Sequence, residues 1–186
     1  MLEDTRPRGD SGEEIAGLVA SRVVDVPGFP QDGILFKDLT PLLADATAFR
    51  RVIDAVVRSA GPGGFDVVAG IEARDFVLAA AAAYAAGVGV VPIRKQGKLP
   101  RATHSASYSL EYGEATLEVH QDAFHGGARV LVVDDVLATG GTARAALDLV
   151  ERGGGVVVGL TVVLELGFLA GRRQLEGRPV HALLTV

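Results

Sequence analysis

Asp134 and Asp135 stand side by side directly after the apolar run 130–133, and Ala138-Thr139-Gly140-Gly141-Thr142 follows after Val136 and Leu137. An acidic pair beside a glycine turn suits a phosphorylated sugar. Gly140 and Gly141 carry no side chain to keep a phosphate from the backbone, and Thr139 and Thr142 add hydroxyl donors. The turn opens onto a helix N-terminus, whose free N–H groups and dipole favour an anion. The two carboxylates would repel a phosphate placed on them, but they match sugar hydroxyls or a hard divalent cation beside it. No Lys-Ser/Thr follows the glycines, so this is not a Walker A loop, and it is not G-x-G-x-x-G. Gly-Gly alone would read as a surface turn with acidic caps.

The elements around the turn fit a ligand site. Residues 130–133 are apolar and mostly β-branched, the composition of a strand buried on both faces, and the acidic pair is expected at its end. Beyond the turn, Ala143, Ala146, Leu147 and Val150 fall on one helical face, with Gly153 at the C-terminal cap. Ligands in open α/β sheets bind outside the carboxyl ends of strands.

The rest of the chain supplies the sheet. Residues 1–10 are charged and rich in breakers and read as a disordered tail. Ser11 and Glu14 form a capping box for a first helix, and Asp45 caps another whose buried stripe is Phe49, Val52, Ile53, Val56 and Val57. Strands at 66–69 and 88–93 flank a helix at 76–86, an alternation that signals a parallel sheet with crossover helices. Residues 94–107 are polar, basic and aperiodic and read as a long loop. An antiparallel pair, 108–111 with 115–120, follows. Then come a strand at 156–165, a short helix at 168–175 and a last strand at 179–186.

Composition narrows the functional classes. A chain of 186 residues is expected to form one domain, and 48% hydrophobic residues suffice for its core. A net charge of −5 argues against a nucleic-acid surface. The chain has no cysteine, hence no disulfide, thiolate metal site or thiol nucleophile, and its four histidines lack zinc-ligand spacing. Residues 76–93 form an 18-residue charge-free run, the lower limit for a membrane span. Alanine, weakly hydrophobic, is its commonest residue, and Gly87, Gly89 and Pro92 break its second half, so a buried helix followed by a strand is expected instead. No signal peptide is visible, and the cytoplasm is the expected compartment.

Taken whole, VLVVDDVLATGGT (130–142) resembles the phosphoribosyl pyrophosphate (PRPP) binding motif of the type I phosphoribosyltransferases. FPQDGILFKDLTPLL (29–43), IEARDF (71–76), PIRKQGKLP (92–100), YSLEYG (108–113) and VLELGFLAGR (163–172) narrow this further: from about residue 14 onward the chain resembles the adenine phosphoribosyltransferase family. The resemblance implies an α/β type I phosphoribosyltransferase fold, with a twisted, mainly parallel sheet flanked by helices. Residues 11–186 would be a single domain, with a small hood at about 24–43 and a flexible catalytic loop at about 94–114. It also implies purine salvage: adenine and PRPP give AMP and pyrophosphate, with Mg²⁺ (Mn²⁺ able to substitute), in a cytoplasmic homodimer that needs neither nucleic acid nor membrane.

Residue roles follow from the same resemblance. Residues Ala138 to Thr142 would take the 5′-phosphate, while Asp134 and Asp135 would hold the ribose hydroxyls and help place Mg²⁺. Arg74, Arg94, Lys95 and Lys98 would neutralise the leaving pyrophosphate. Glu111 would manage the proton at adenine and Tyr112 would order the closed loop. Leu35, Phe36 and Lys37 would line the base on one side, with Glu165 and Leu166 on the other. Three positions depart from the family pattern: Lys37 replaces an arginine, Asp75 a glycine and Asp32 a proline. Asp75 is expected either to cap the helix from Phe76 or to add a carboxylate near the pyrophosphate. Two rival readings are an enzyme for another base (xanthine, hypoxanthine-guanine or orotate) and a non-catalytic PRPP sensor. Against the sensor, residues 1–28 are too short and too acidic for a helix-turn-helix domain.

Overall fold

The computed structural model describes residues 9–61, 63–109 and 114–186. Its centre is a seven-stranded sheet in the order β5-β6-β4-β3-β7-β8-β9. These strands are β3 (Val67–Ile71), β4 (Gly89–Lys95), β5 (Thr103–Ser109), β6 (Glu114–His120), β7 (Arg129–Leu137), β8 (Val156–Glu165) and β9 (Val180–Thr185). Strands β4, β3, β7, β8 and β9 run parallel. The β5–β6 hairpin joins β4 antiparallel through Arg94 opposite Glu118 and Lys95 opposite Leu117. A separate two-stranded ribbon, β1 (Val24–Pro27) with β2 (Leu35–Asp38), lies in the segment expected as a hood.

Both faces of the sheet are covered. On one, α1 (Gly12–Ala20), α2 (Thr40–Ala44), α3 (Ala46–Ser59) and α4 (Asp75–Ala86) pack with Val68, Leu131, Val133 and Val163. On the other, α5 (Gly141–Arg152) packs with Val130, Val132, Leu160 and Val162. Successive β7 residues therefore enter opposite cores, which is why its sequence is apolar without alternation. Asp66 and Arg129 set the start of β7: Asp66 N–H donates to Arg129 O at 2.8 Å, and Arg129 N–H to Asp66 Oδ2 at 2.9 Å. The expected caps are present: Ser11 and Glu14 complete a capping box, and Asp45 accepts from the N–H groups of Thr47 and Ala48.

Four expectations need correction. Strand β7 runs on to Leu137, so Asp134 and Asp135 lie within it rather than at its end. The ladder to β8 continues past the acidic pair and ties Val136 and Leu137 to Leu164 and Glu165. Residues 94–107 are not one long loop, because β4 extends to Lys95 and β5 begins at Thr103. The polar, alternating sequence of β5 is that of an edge strand with one wet face. Finally, 168–175 is not one helix but two 3₁₀ turns, Gly167–Leu169 and Gly171–Leu175, separated by Ala170 in the left-handed region at φ 52°. Asp10, expected in the tail, is paired with Arg51 at 2.9 Å. No helix among the described residues is long and apolar enough to cross a membrane.

Candidate active site

A cleft of about 520 Å³ opens at the carboxyl ends of β3 and β7. Three segments converge on it. The hood ribbon contributes Ile34 to Lys37, the end of β3 contributes Ile71 to Asp75, and β7 with its following turn contributes Asp134 to Gly140, Thr142 and Ala143. Leu166, beyond β8, and Tyr108, from β5, complete the wall.

Close packing of α4 on β3 sets the acidic region. A Cβ on Gly70 would lie 3.3 Å from the carbonyl oxygen of Asp75 and would overlap the Ala79 side chain, so only glycine lets the helix approach this closely. That approach delivers Asp75, the first residue of α4, against β7. Asp75 does not cap α4; the preceding Arg74 holds the cap position without a side-chain bond. Instead, the N–H of Asp135 donates to Asp75 Oδ1 at 2.9 Å and to Asp134 Oδ1 at 2.8 Å.

Asp75, Asp134 and Asp135 are thus three buried carboxylates, at 5%, 6% and 8% exposure, with ligand oxygens within 4.8 Å of one another. Burial pushes all three pKa values above the ordinary carboxylate range. For Asp75 the charge of Asp134 adds to burial, and Asp75 rises well above Asp134. At Asp135 the Arg74 guanidinium works in the opposite direction. Three carboxylates buried this close together therefore favour keeping at least one of them protonated.

Arg74 links this cluster to the hood. Its Nη2 lies 2.6 Å from Asp135 Oδ2, in ion-pair contact but without the alignment of a hydrogen bond. Its guanidinium carbon sits 5.2 Å from the Phe36 ring centroid, and Phe29 packs edge-on against Phe36 at 5.0 Å. Lys37 is tied across the ribbon to Asp25 at 2.7 Å.

The glycine turn is built as expected but braced differently. Gly140 holds φ at 89° and forms the N-cap of α5. A Cβ on Gly140 would point not into the cleft but at the backbone of Gly171, 3.0 Å from its carbonyl carbon. Among the expected phosphate residues, Ala138, Thr139, Gly140 and Thr142 line the cleft and Gly141 is buried behind them.

The basic residues divide. Arg74 lines the cleft, whereas Arg94, Lys95 and Lys98 do not. The Arg94 guanidinium donates to Glu72 at 3.2 Å and to the Lys98 carbonyl at 3.1 Å. Glu72 also accepts from the Lys95 N–H at 3.1 Å. Burial opposes the charge on Glu72, but the Lys95 N–H and Arg94 outweigh it and leave its pKa below the ordinary value. Arg94 in this structure is a strut between the ends of β3 and β4. Lys95 and Lys98 are exposed. Glu111 and Tyr112 lie outside the described residues. Glu165 does not line the cleft, although its neighbour Leu166 does.

Sequence reasoning missed Tyr108, Glu72 and Ala73 as cleft residues. All three lie in stretches already singled out, IEARDF and YSLEYG: Tyr108 is in β5, and Glu72 and Ala73 are in the turn just beyond β3.

The chain matches the phosphoribosyl transferase domain family over residues 37–179. It is 72% identical over 182 residues to the adenine phosphoribosyltransferase of Salinispora tropica, covering 98% of this chain and 97% of that one. Against the adenine phosphoribosyltransferase of Frankia casuarinae it is 54% identical over 185 residues, covering 100% of this chain and 98% of that one. Among solved structures, it superposes on the adenine phosphoribosyltransferase of Thermoanaerobacter pseudethanolicus with a TM-score of 0.88 at 45% identity, covering 95% of this chain and 100% of that one. The Saccharomyces cerevisiae adenine phosphoribosyltransferase, solved with adenine and an imino-altritol bisphosphate, gives a TM-score of 0.88 at 38% identity, covering 92% of this chain and 99% of that one.

Proposed function

This chain belongs to the adenine phosphoribosyltransferases, and from that premise we propose that it converts adenine and PRPP to AMP and pyrophosphate in purine salvage. The observation that carries this reading is the cleft itself. A glycine turn at a helix N-terminus, the acidic pair within β7, the Arg74 guanidinium and the Phe36-bearing ribbon all line one space. These are the parts needed for a phosphate, a ribose, a pyrophosphate and a planar base.

The chemistry each part would perform follows from charge and shape. Breaking the C1–O1 bond of PRPP leaves oxocarbenium character on the ribose and expels a highly charged leaving group. Catalysis then comes from positioning and charge stabilisation. The turn from Ala138 to Thr142 takes the 5′-phosphate, and Asp134 and Asp135 take the ribose hydroxyls. Arg74 meets the pyrophosphate, while Lys95 and Lys98, both exposed, would reach it if the 94–114 segment folds over. Arg94 serves by anchoring that segment. Leu35, Phe36, Lys37 and Leu166 border the base, Glu111 handles its proton, and Tyr112 orders the covering loop. A homodimer in the cytoplasm is the assembly and compartment that belong to this reading.

The carboxylate cluster also fits a divalent metal. Its oxygens are hard donors, and Asp135 Oδ2 accepts no hydrogen bond. Asp134 and Asp135 would hold Mg²⁺ beside the PRPP. When bound, the ion supplies charge neutralisation on the pyrophosphate.

A base panel tests the proposal. With PRPP and Mg²⁺, adenine is expected to give AMP, and hypoxanthine, guanine and xanthine to react with specificity lower by about 10⁴. Faster turnover of another base overturns the adenine assignment. PRPP binding without turnover of any base would identify a sensor.

A further inference from the structure

We propose that Gly171 is a positioning residue for the turn from Ala138 to Thr142, held in place by the Glu165–Arg172 ion pair. This segment would then set the affinity for the 5′-phosphate without touching it. The inference rests on the reading of that turn as the phosphate site.

The contact is backbone against backbone and admits a side chain on neither partner. A Cβ on Gly171 would overlap the Ala138 carbonyl oxygen and stand 2.9 Å from Gly140 N. Conversely, a Cβ on Gly140 would overlap the Gly171 carbonyl oxygen and stand 3.2 Å from its Cα. The turn is therefore backed at Ala138 and Gly140 by the Gly171 backbone, which limits how far these two residues can retreat from an incoming anion.

The sequence brings Gly171 there in three steps. Leu166 N–H donates to Leu137 O at 2.9 Å, prolonging the β7–β8 ladder to the rim of the cleft. The chain then makes a 3₁₀ turn and reverses at Ala170, the one non-glycine among the described residues with positive φ. After that reversal, Arg172 reaches back to Glu165. Its Nε donates at 3.0 Å, its Nη2 makes a second bond to the same carboxylate, and its Nη1 donates to Val180 O at 2.7 Å. Glu165 is only 6% exposed, so it depends on this fork. The Arg172 hydrogen bond is the main reason its pKa lies below the ordinary value.

Nothing in the cleft requires a bidentate pair at this place, since Arg172 and Glu165 do not line it. What the pair fixes is the distance between Gly171 and the turn. A substrate-binding backbone displaced by about 1 Å loses on the order of 10²-fold in activity.

The test compares steady-state constants and calorimetric PRPP binding of the full chain with those of three variants. Gly171→Ala is expected to raise the KM for PRPP by about 10²-fold while the KM for adenine stays within about twofold, well below one factor of ten. Arg172→Lys keeps the charge but loses the fork, and is expected to raise the PRPP KM by about tenfold with the adenine KM again unmoved. Should Gly171→Ala fail to fold, Arg172→Lys decides. A PRPP KM that stays at the wild-type value, or both KM values rising together, overturns the positioning role. Thr142→Val tests the underlying reading separately. If it leaves PRPP affinity intact, the turn is not the phosphate site. If it weakens PRPP while Gly171→Ala does not, only the positioning role falls.

Discussion

Asp75 accepts a hydrogen bond from the backbone N–H of Asp135 at 2.9 Å, joining the first residue of α4 to the acidic strand β7. Burial and the Asp134 charge favour a neutral Asp75, which could then donate to Asp134 as well. Asparagine reproduces this pattern, with an oxygen to accept and an amine to donate. Asp75→Asn is therefore expected to hold its melting temperature within about 4 °C of wild type, the span of roughly 1 kcal/mol in a domain of this size, and to keep turnover within a few-fold. Asp75→Ala removes one of the two acceptors of the Asp135 N–H, leaving Asp134 Oδ1 at 2.8 Å, and is expected to cost about 0.5–1.5 kcal/mol. Thermal unfolding and AMP formation measured together decide the matter. An asparagine variant as impaired as the alanine one would mean that a neutral side chain at position 75 is not what the cluster needs.

Arg74 divides its guanidinium between the Phe36 ring at 5.2 Å and Asp135 at 2.6 Å. A lysine has one compact charge and cannot do both. Arg74→Lys is expected to lower kcat/KM by about 10²-fold through misplacement at the reacting centre. Inhibition by added pyrophosphate should weaken in parallel. Because the Arg74 side chain is 45% exposed, the melting temperature should barely move. Unaltered pyrophosphate inhibition would remove Arg74 from the leaving-group site.

The Asp66–Arg129 clamp gives a pH signature far from the cleft. The Arg129 side chain, aided by its N–H, draws the Asp66 pKa down to about 2. A depressed carboxylate pKa stabilises the fold at pH values above the unfolded value, about 3.9, and that contribution fades as pH falls towards the folded value. Asp66→Asn is expected to lower the melting temperature at pH 7 and to match wild type near pH 2. Unfolding curves that differ by the same amount at both ends of that range would show that the clamp does not titrate.

Glu111, if it handles the adenine proton, contributes the factor typical of a general acid or base. Glu111→Leu is expected to lower turnover at saturating adenine by about 10²–10⁴-fold, with PRPP affinity held within a few-fold. Turnover at the wild-type level would make it a solvated loop residue. Equal loss of PRPP binding would make it structural.

The fold could be read because its signals are local. The apolar run of β7, the helical stripe of α5 and the caps at Ser11 and Asp45 each lie within a few residues of what they specify. The cleft was legible where it coincides with one contiguous string, 134–142, and at Leu35 to Lys37 and Leu166, where the motifs are short. Two features resisted. The strand character of 103–109 comes from pairing with β6, and its alternation sets Ala106 and Tyr108 among polar residues such as Thr103, Ser105 and Ser107, too few apolar positions to reveal a strand. The commitment of Arg94 to Glu72 depends on a side chain 22 residues away, and charge alone does not say which anion a guanidinium will meet.

Val67 pairs with Val130, and β3 is the strand between β4 and β7. During synthesis β3 and β4 leave the ribosome long before β7 does. The inner edge of β3 then lacks its partner while the whole β5–β6 hairpin is still being made. That hairpin can close at once because its pairing is local, whereas the β3–β7 ladder must wait for a long loop to close. Nascent chains ending before Leu137 are thus expected to expose an apolar strand edge to protease and chaperone, and chains extended through α5 to conceal it. The β3–β7 joint at the centre of the sheet therefore closes late relative to β3, and the interval before it closes leaves an unpaired apolar edge of the kind that promotes aggregation.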